Sequence, residues 1–135
     1  MQKQKKAGQM LQQTELVKSV KQFANRYSFI KAVYLFGSVA KAAAQKSSDV
    51  DLAIICNRDI SGWERIDLEN EVSNLICADA DLTVFHQANP LLQHQILLYG
   101  KLIHETDREA RVKQVSEARY EYLDTRYLYK ELGNQ

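Results

Sequence analysis

The sequence predicts a single α/β domain: a small mixed β-sheet flanked by helices, with a long C-terminal helix. Three observations carry that prediction. Segments with helical spacing of apolar residues alternate with β-branched and aromatic runs, the order that lays helices against a sheet. Capping residues, and in one place a proline at the first helical position, stand where the helical segments begin. The 135 residues, 45% hydrophobic and 26% charged with no internal repeat, have the balance of one globular core. A chain of this size buries roughly two thirds of its unfolded surface.

Taken in order, the polar opening Met1 to Gln13 reads as a loose arm, with Lys3, Lys5 and Lys6 in it. The residues after this arm lack the continuous apolar run of a signal peptide or membrane span, so a cytoplasmic protein without membrane contact is expected. Leu16, Val20, Phe23 and Tyr27 share one face of an amphipathic helix. Ile30 to Phe36 is a strand, Gly37-Ser38 a tight turn, and the Ala-rich stretch Val39 to Gln45 a short helix. Val50 to Cys56 is the second strand. Ser61 with Glu64 forms a capping box for a helix that aligns Leu68, Val72, Leu75 and Ile76. Ala80 to His86 is the third strand. Asn89-Pro90 caps and opens the next helix, Gly100 takes its C′ position, and a short Lys101 to Glu105 extension comes after it. Thr106 with Glu109 is a second capping box, opening a last helix to about Leu132. The catalytic core is taken as residues 14–105 and the C-terminal helix as 106–132. Cys56 and Cys77 have no CxxC spacing and read as small buried hydrophobes rather than ligands or a disulfide. Lys and Arg number 18 against 17 Asp and Glu, leaving no basic surface to track long nucleic acid, so direct DNA binding and template-independent RNA tailing are not expected.

Chemistry concentrates in three carboxylates. Asp49 and Asp51 lie two apart at the start of the second strand, so both side chains share a face, and a neighbouring strand can bring Asp81 alongside. Carboxylates that close repel unless a cation lies among them, and oxygen ligands suit Mg²⁺. A metal-ion pair is the usual clamp for in-line phosphoryl displacement. Upstream, Gly37-Ser38 ends a strand and opens a helix, offering amide groups and a hydroxyl to a phosphate at the positive end of the helix dipole.

Gly37-Ser38-Val39-Ala40, with Ser48-Asp49-Val50-Asp51-Leu52 after a short helix, resembles the GSxA and SDxDL signature of the polymerase-beta-like nucleotidyltransferase superfamily. Over about residues 14–105 the chain looks like a minimal nucleotidyltransferase of the MNT type, commonly the antitoxin of HEPN/MNT toxin–antitoxin pairs. The resemblance implies that Gly37 and Ser38 bind the triphosphate of ATP, with Ser48 and Lys41 as further nucleotide-binding candidates. It likewise implies that Asp49, Asp51 and Asp81 are catalytic and ligate Mg²⁺, Asp81 being the third carboxylate and a base for the acceptor hydroxyl. Asp79 is its rival on the same strand face. Where many relatives read GSxARG, Lys41 and Ala42 stand here, keeping the charge but losing bidentate phosphate geometry and a flexible turn. The implied function is transfer of AMP to a tyrosine of a HEPN ribonuclease toxin. Its rivals are adenylyl transfer to a small hydroxylated compound of the aminoglycoside type, and a non-catalytic antitoxin that acts by binding alone.

His86, His94 and His104 have no metal-ligand spacing. Four of the seven tyrosines fall between Tyr120 and Tyr129. There Val115, Ala118, Tyr122 and Tyr129 form one stripe and Val112, Tyr120, Leu123 and Tyr127 a second. One stripe is expected to pack on the domain, and the second either meets the toxin or completes the core.

Overall fold

The period-two burial of the strand segments sorts the chain into three layers, helices on both faces of one sheet. A computed structural model of the protein describes residues 2–37 and 49–133. Strands β1 (Ile30–Phe36), β2 (Val50–Cys56), β3 (Ala80–Val84) and β4 (Lys101–Glu105) are arranged in the order β3-β2-β1-β4. β1 runs antiparallel to both β2 and β4, whereas β2 and β3 are parallel, so the sheet is mixed. The helices are α1 (Gln2–Asn25), α2 (Gly62–Ile76), α3 (Pro90–Tyr99) and α4 (Arg108–Gly133). α2 is the crossover that a parallel β2–β3 pair requires.

Strand parity makes two cores. Val33, Leu35, Leu52, Ile54, Leu82 and Val84 bury one face of the sheet beneath Val20 and Phe23 of α1 and Leu68 and Val72 of α2. Ala32, Tyr34, Ala53 and Ile55 bury the other beneath Phe85, Ile96 of α3 and Ala118 of α4. Leu16 and Tyr27, and Leu75 and Ile76, border the first core as their helical spacing predicts.

The ends of the elements show which local signals the fold uses. Ser61 Oγ accepts the amide of Glu64 at 3.2 Å, but the Glu64 carboxylate pairs with Arg58 at 2.6 Å instead of returning to the cap, so half of the expected box forms. Asn89 Oδ1 accepts the amide of Leu92 at 2.8 Å behind Pro90, as expected. Gly100 ends α3 in extended geometry, and its necessity is spatial: a Cβ there would collide with the Ile96 carbonyl.

Five expectations need correction, and a sixth falls outside the described residues. The arm expected over Met1 to Gln13 is helical from Gln2, because Lys, Gln, Ala, Met and Leu propagate a helix already anchored by its packed C-terminal half. The third strand stops at Val84, and Phe85–Gln87 forms a 3₁₀ turn where Gln93 Nε2 donates to the Phe85 carbonyl at 2.8 Å. The Lys101 to Glu105 extension is a full edge strand. Asp107, not Thr106, caps α4: its Oδ1 accepts the Ala110 amide at 3.1 Å, while Thr106 turns its hydroxyl to the carbonyls of Ile30 and Lys31. Cys77 is exposed at φ 56°, the left-handed residue that ends α2; Cys56 is buried as expected. The short helix expected over Val39 to Gln45 lies outside the described residues.

Candidate active site

Asp51 and Asp81 stand opposite each other in the parallel β2–β3 register. Val50, Leu52, Ala80 and Leu82 fill the α1/α2 core, so parity turns both carboxylates to the other face. There Phe36, the β1 partner of Asp51, borders the α3/α4 core, and the carboxylates occupy its rim. Asp51 is half-buried and Asp81 exposed, while Asp49 is exposed one step before β2. Burial first, then the charges of Asp81 and Asp49, push the Asp51 carboxyl above the usual carboxylate range. Asp81 and Asp49 thus both act electrostatically on Asp51.

Gly37 completes this corner. Its φ of 80° lies in the left-handed region that side chains disfavour, and a Cβ there would collide with Asp51 Oδ2 while lying 2.9 Å from Asp51 Cγ. Only glycine lets the turn after β1 lie against the carboxylate. Ser38, Lys41 and Ser48, the other expected nucleotide-binding residues, lie outside the described residues. Asp79, the rival third carboxylate, precedes the first paired residue of β3; its carbonyl accepts the Val50 amide at 2.9 Å. The register thus sets Asp81, rather than Asp79, opposite Asp51.

Two hollows flank this edge. One, of about 600 Å³, is lined by Asp49, Asp79, Glu69, Asn70, Ser73 and Asn74. The other, of about 480 Å³, is bordered by Asp81, Arg65, Thr83, Gln87 and Asn89. Among the described residues no three His, Cys, Asp or Glu side chains converge into a cage that could hold an ion by itself. An all-oxygen edge of this kind fits Mg²⁺, which is commonly held by one or two carboxylates together with substrate phosphates rather than by a protein cage.

Three residues of α2 beside this edge carried no expectation. Glu69 Oε2 accepts the Leu82 amide at 2.8 Å, Arg65 Nη1 donates to the Leu82 carbonyl at 3.2 Å, and Ser73 Oγ accepts the Ala80 amide at 2.9 Å. The signal that could have found them is their i, i+4, i+8 spacing, a polar line beside the apolar Leu68 and Val72. The histidines lie elsewhere. His86 Nε2 is 2.7 Å from Asp59 Oδ1, His94 stacks on Tyr122 with centroids 3.7 Å apart, and His104 is buried in β4.

The stripes of α4 separate as well. Val115 and Ala118 are buried and Tyr122 is half-buried against His94, while the Tyr129 side chain lies outside those described. Val112, Tyr120, Leu123 and Tyr127 are exposed.

Comparison with known proteins gives this geometry its relatives. The curated protein adenylyltransferase MntA of Shewanella oneidensis is 24% identical over 99 residues, covering 73% of this chain and 71% of that protein. A solved toxin–antitoxin structure with AMP-PNP superposes with a TM-score of 0.71 at 19% identity, over 86% of this chain and 97% of that one. A tri-AMPylated Shewanella oneidensis HEPN toxin in complex with MNT antitoxin gives 0.64 at 22% identity, over 90% and 98%. The Polymerase beta, Nucleotidyltransferase family matches residues 18–109, from within α1 through β4 and so across Gly37, Asp49, Asp51 and Asp81, and the chain belongs to that nucleotidyltransferase family.

Proposed function

We propose that this chain is an antitoxin adenylyltransferase that moves AMP from ATP to a tyrosine of a HEPN-type ribonuclease toxin and so neutralises it. The observation that carries the reading is the corner where the left-handed Gly37 lies against Asp51 with Asp81 opposite in register. Similarity to MntA, named a protein adenylyltransferase, and to antitoxin folds solved with HEPN toxin favours a protein acceptor over a small hydroxylated compound. No helix among the described residues is long and apolar enough to cross a membrane, which suits a cytoplasmic partner.

Asp49, Asp51 and Asp81 are the residues that would hold Mg²⁺, with the nucleotide's phosphates completing its shell. When bound, the ion neutralises phosphate charge and acidifies the acceptor hydroxyl. Gly37, with Ser38, Lys41 and Ser48, receives the triphosphate, the glycine admitting backbone where a side chain would collide. The tyrosine oxygen bonds to the α-phosphorus as the bond to the bridging oxygen breaks. Pyrophosphate leaves, and Asp81, exposed beside Asp51, takes the phenolic proton. The core 14–105 performs transfer, and the exposed stripe of the 106–132 helix meets the toxin.

The test is intact-mass analysis of a HEPN-type protein encoded beside this chain after incubation with ATP, Mg²⁺ and the chain. Addition of one or more AMP groups, absent with Asp51→Asn, is expected. An unmodified toxin that is nonetheless inhibited equally by both forms would replace the reading with inhibition by occupancy.

A further inference from the structure

β3 is an outer strand of the sheet, so one side of its backbone has no strand to pair with. Ala80 and Leu82, the residues on either side of Asp81, turn main-chain groups to that side, and both are buried. Left unpaired, such groups would carry the full desolvation penalty of a buried donor or acceptor. α2 meets them with side chains instead. Glu69 Oε2 receives the Leu82 amide and, at 3.0 Å, Arg65 Nη1, which also donates to the Leu82 carbonyl. Ser73 takes the Ala80 amide one turn further along. Arg65 and Glu69 therefore act together as a surrogate strand, offering β3 one donor and one acceptor with charge on both. With Ser73 they make three contacts, which bracket one residue, Asp81, set opposite Asp51 in the β2–β3 register.

We infer that Arg65, Glu69 and Ser73 are positioning residues for the metal–nucleotide site, fixing the β3 backbone so that Asp81 is presented beside Asp51. The inference rests on the adenylyltransferase reading. It goes beyond it in giving α2 a task in the site as well as in the core.

The test is Mn²⁺ affinity in the presence of α,β-methylene-ATP, monitored by electron paramagnetic resonance, with the melting temperature of each variant measured alongside. Glu69→Ala is expected to weaken Mn²⁺ binding about ten-fold or more, the loss typical when an outer partner of a metal ligand is removed. Glu69→Gln, which keeps a carbonyl acceptor for the Leu82 amide, is expected to stay within about three-fold of the parent, a rescue measured on the same scale. Arg58→Ala breaks another Arg–Glu pair of this helix, in which neither partner bonds β3 among the described residues, and is expected to leave Mn²⁺ affinity unchanged. A Glu69→Ala chain that melts earlier yet binds Mn²⁺ like the parent would reduce these contacts to fold stability and overturn the inference. If Glu69→Ala does not fold, Ser73→Ala removes one hydrogen bond only; weakened Mn²⁺ binding supports the inference and parental affinity overturns it. A parent chain that takes up no Mn²⁺ with the analogue overturns the adenylyltransferase reading itself, and this positioning role with it.

Discussion

Asp51→Asn keeps the size of the side chain that lies against Gly37 and removes the charge that burial, Asp81 and Asp49 all disfavour. Transfer of AMP is therefore expected to be abolished, while the metal-free melting temperature equals or exceeds that of the parent; calorimetry and the mass assay read the two effects separately. A fall in melting temperature together with retained transfer would contradict this placement of charge. Gly37→Val differs in kind, because a β-branched residue is forced into positive φ and into the space of the Asp51 carboxylate. Backbone strain there costs about 1–3 kcal/mol. ATP affinity measured by titration calorimetry is expected to fall with it, and undiminished affinity would count against a phosphate-binding turn. Gly37 and the carboxylates stood out because their signals are local: a carboxylate pair at strand parity, and a glycine at the end of a strand. The contact between Gly37 and Asp51 was not, since it arises from the antiparallel register of β1 and β2, which no local pattern specifies.

At the scale of elements, caps and apolar periodicity located most helices and strands, and the errors at α1 and α4 share one cause. α1 extends to Gln2 through residues with good helix propensity but no apolar stripe, and α4 takes its cap from Asp107 because Thr106 is drawn to the carbonyls of Ile30 and Lys31, on β1. In each case contacts or propagation from a distant packed segment outweighed the nearest motif. β4 was the hardest to read: only five residues long, it acquires strand character by pairing with β1. It also carries a pH-sensitive group. His104 is buried opposite Val33, its Nε2 has no hydrogen-bond partner among the described residues, and burial, with Lys21 adding to it, lowers its pKa from 6.5. The unfolded chain thus binds a proton at a pH where the folded chain still resists it. Stability must then fall as pH drops below about 6.5, the ordinary histidine value. Urea midpoints at pH 7.5 and 5.5 are expected to differ less in His104→Leu than in the parent. An identical pH dependence in the two would exclude His104 as the source.

For the whole molecule, the sheet divides the labour between its faces. α1 and α2 close one core, and α2 also reaches the outer edge of β3. α3 and α4 close the other core, with the carboxylates at its rim, and α4 carries a second apolar stripe past the domain. Sequence periodicity showed that α4 has two stripes but could not decide whether the second is core, because that depends on how much of the helix the sheet can cover. The 26-residue α4 outruns β1 and β2, each of seven residues, and Tyr120 and Tyr127 are left 73% and 69% exposed. Changing both to Ser therefore removes little buried surface from the free chain, and its melting temperature is expected to move by no more than surface substitutions usually cause, within about 0.5 kcal/mol each. If the toxin covers this stripe, the same change deletes two large aromatic anchors, each costing about 2 kcal/mol or more when it is a hot spot. The complex would then weaken by about three orders of magnitude, since every 1.4 kcal/mol is ten-fold. Co-purification and titration with the HEPN-type neighbour, run beside thermal melts of the free chain, read both quantities. Parental affinity in the double variant would move the interface to another face, and a large loss of melting temperature would show that the tyrosines support the fold after all.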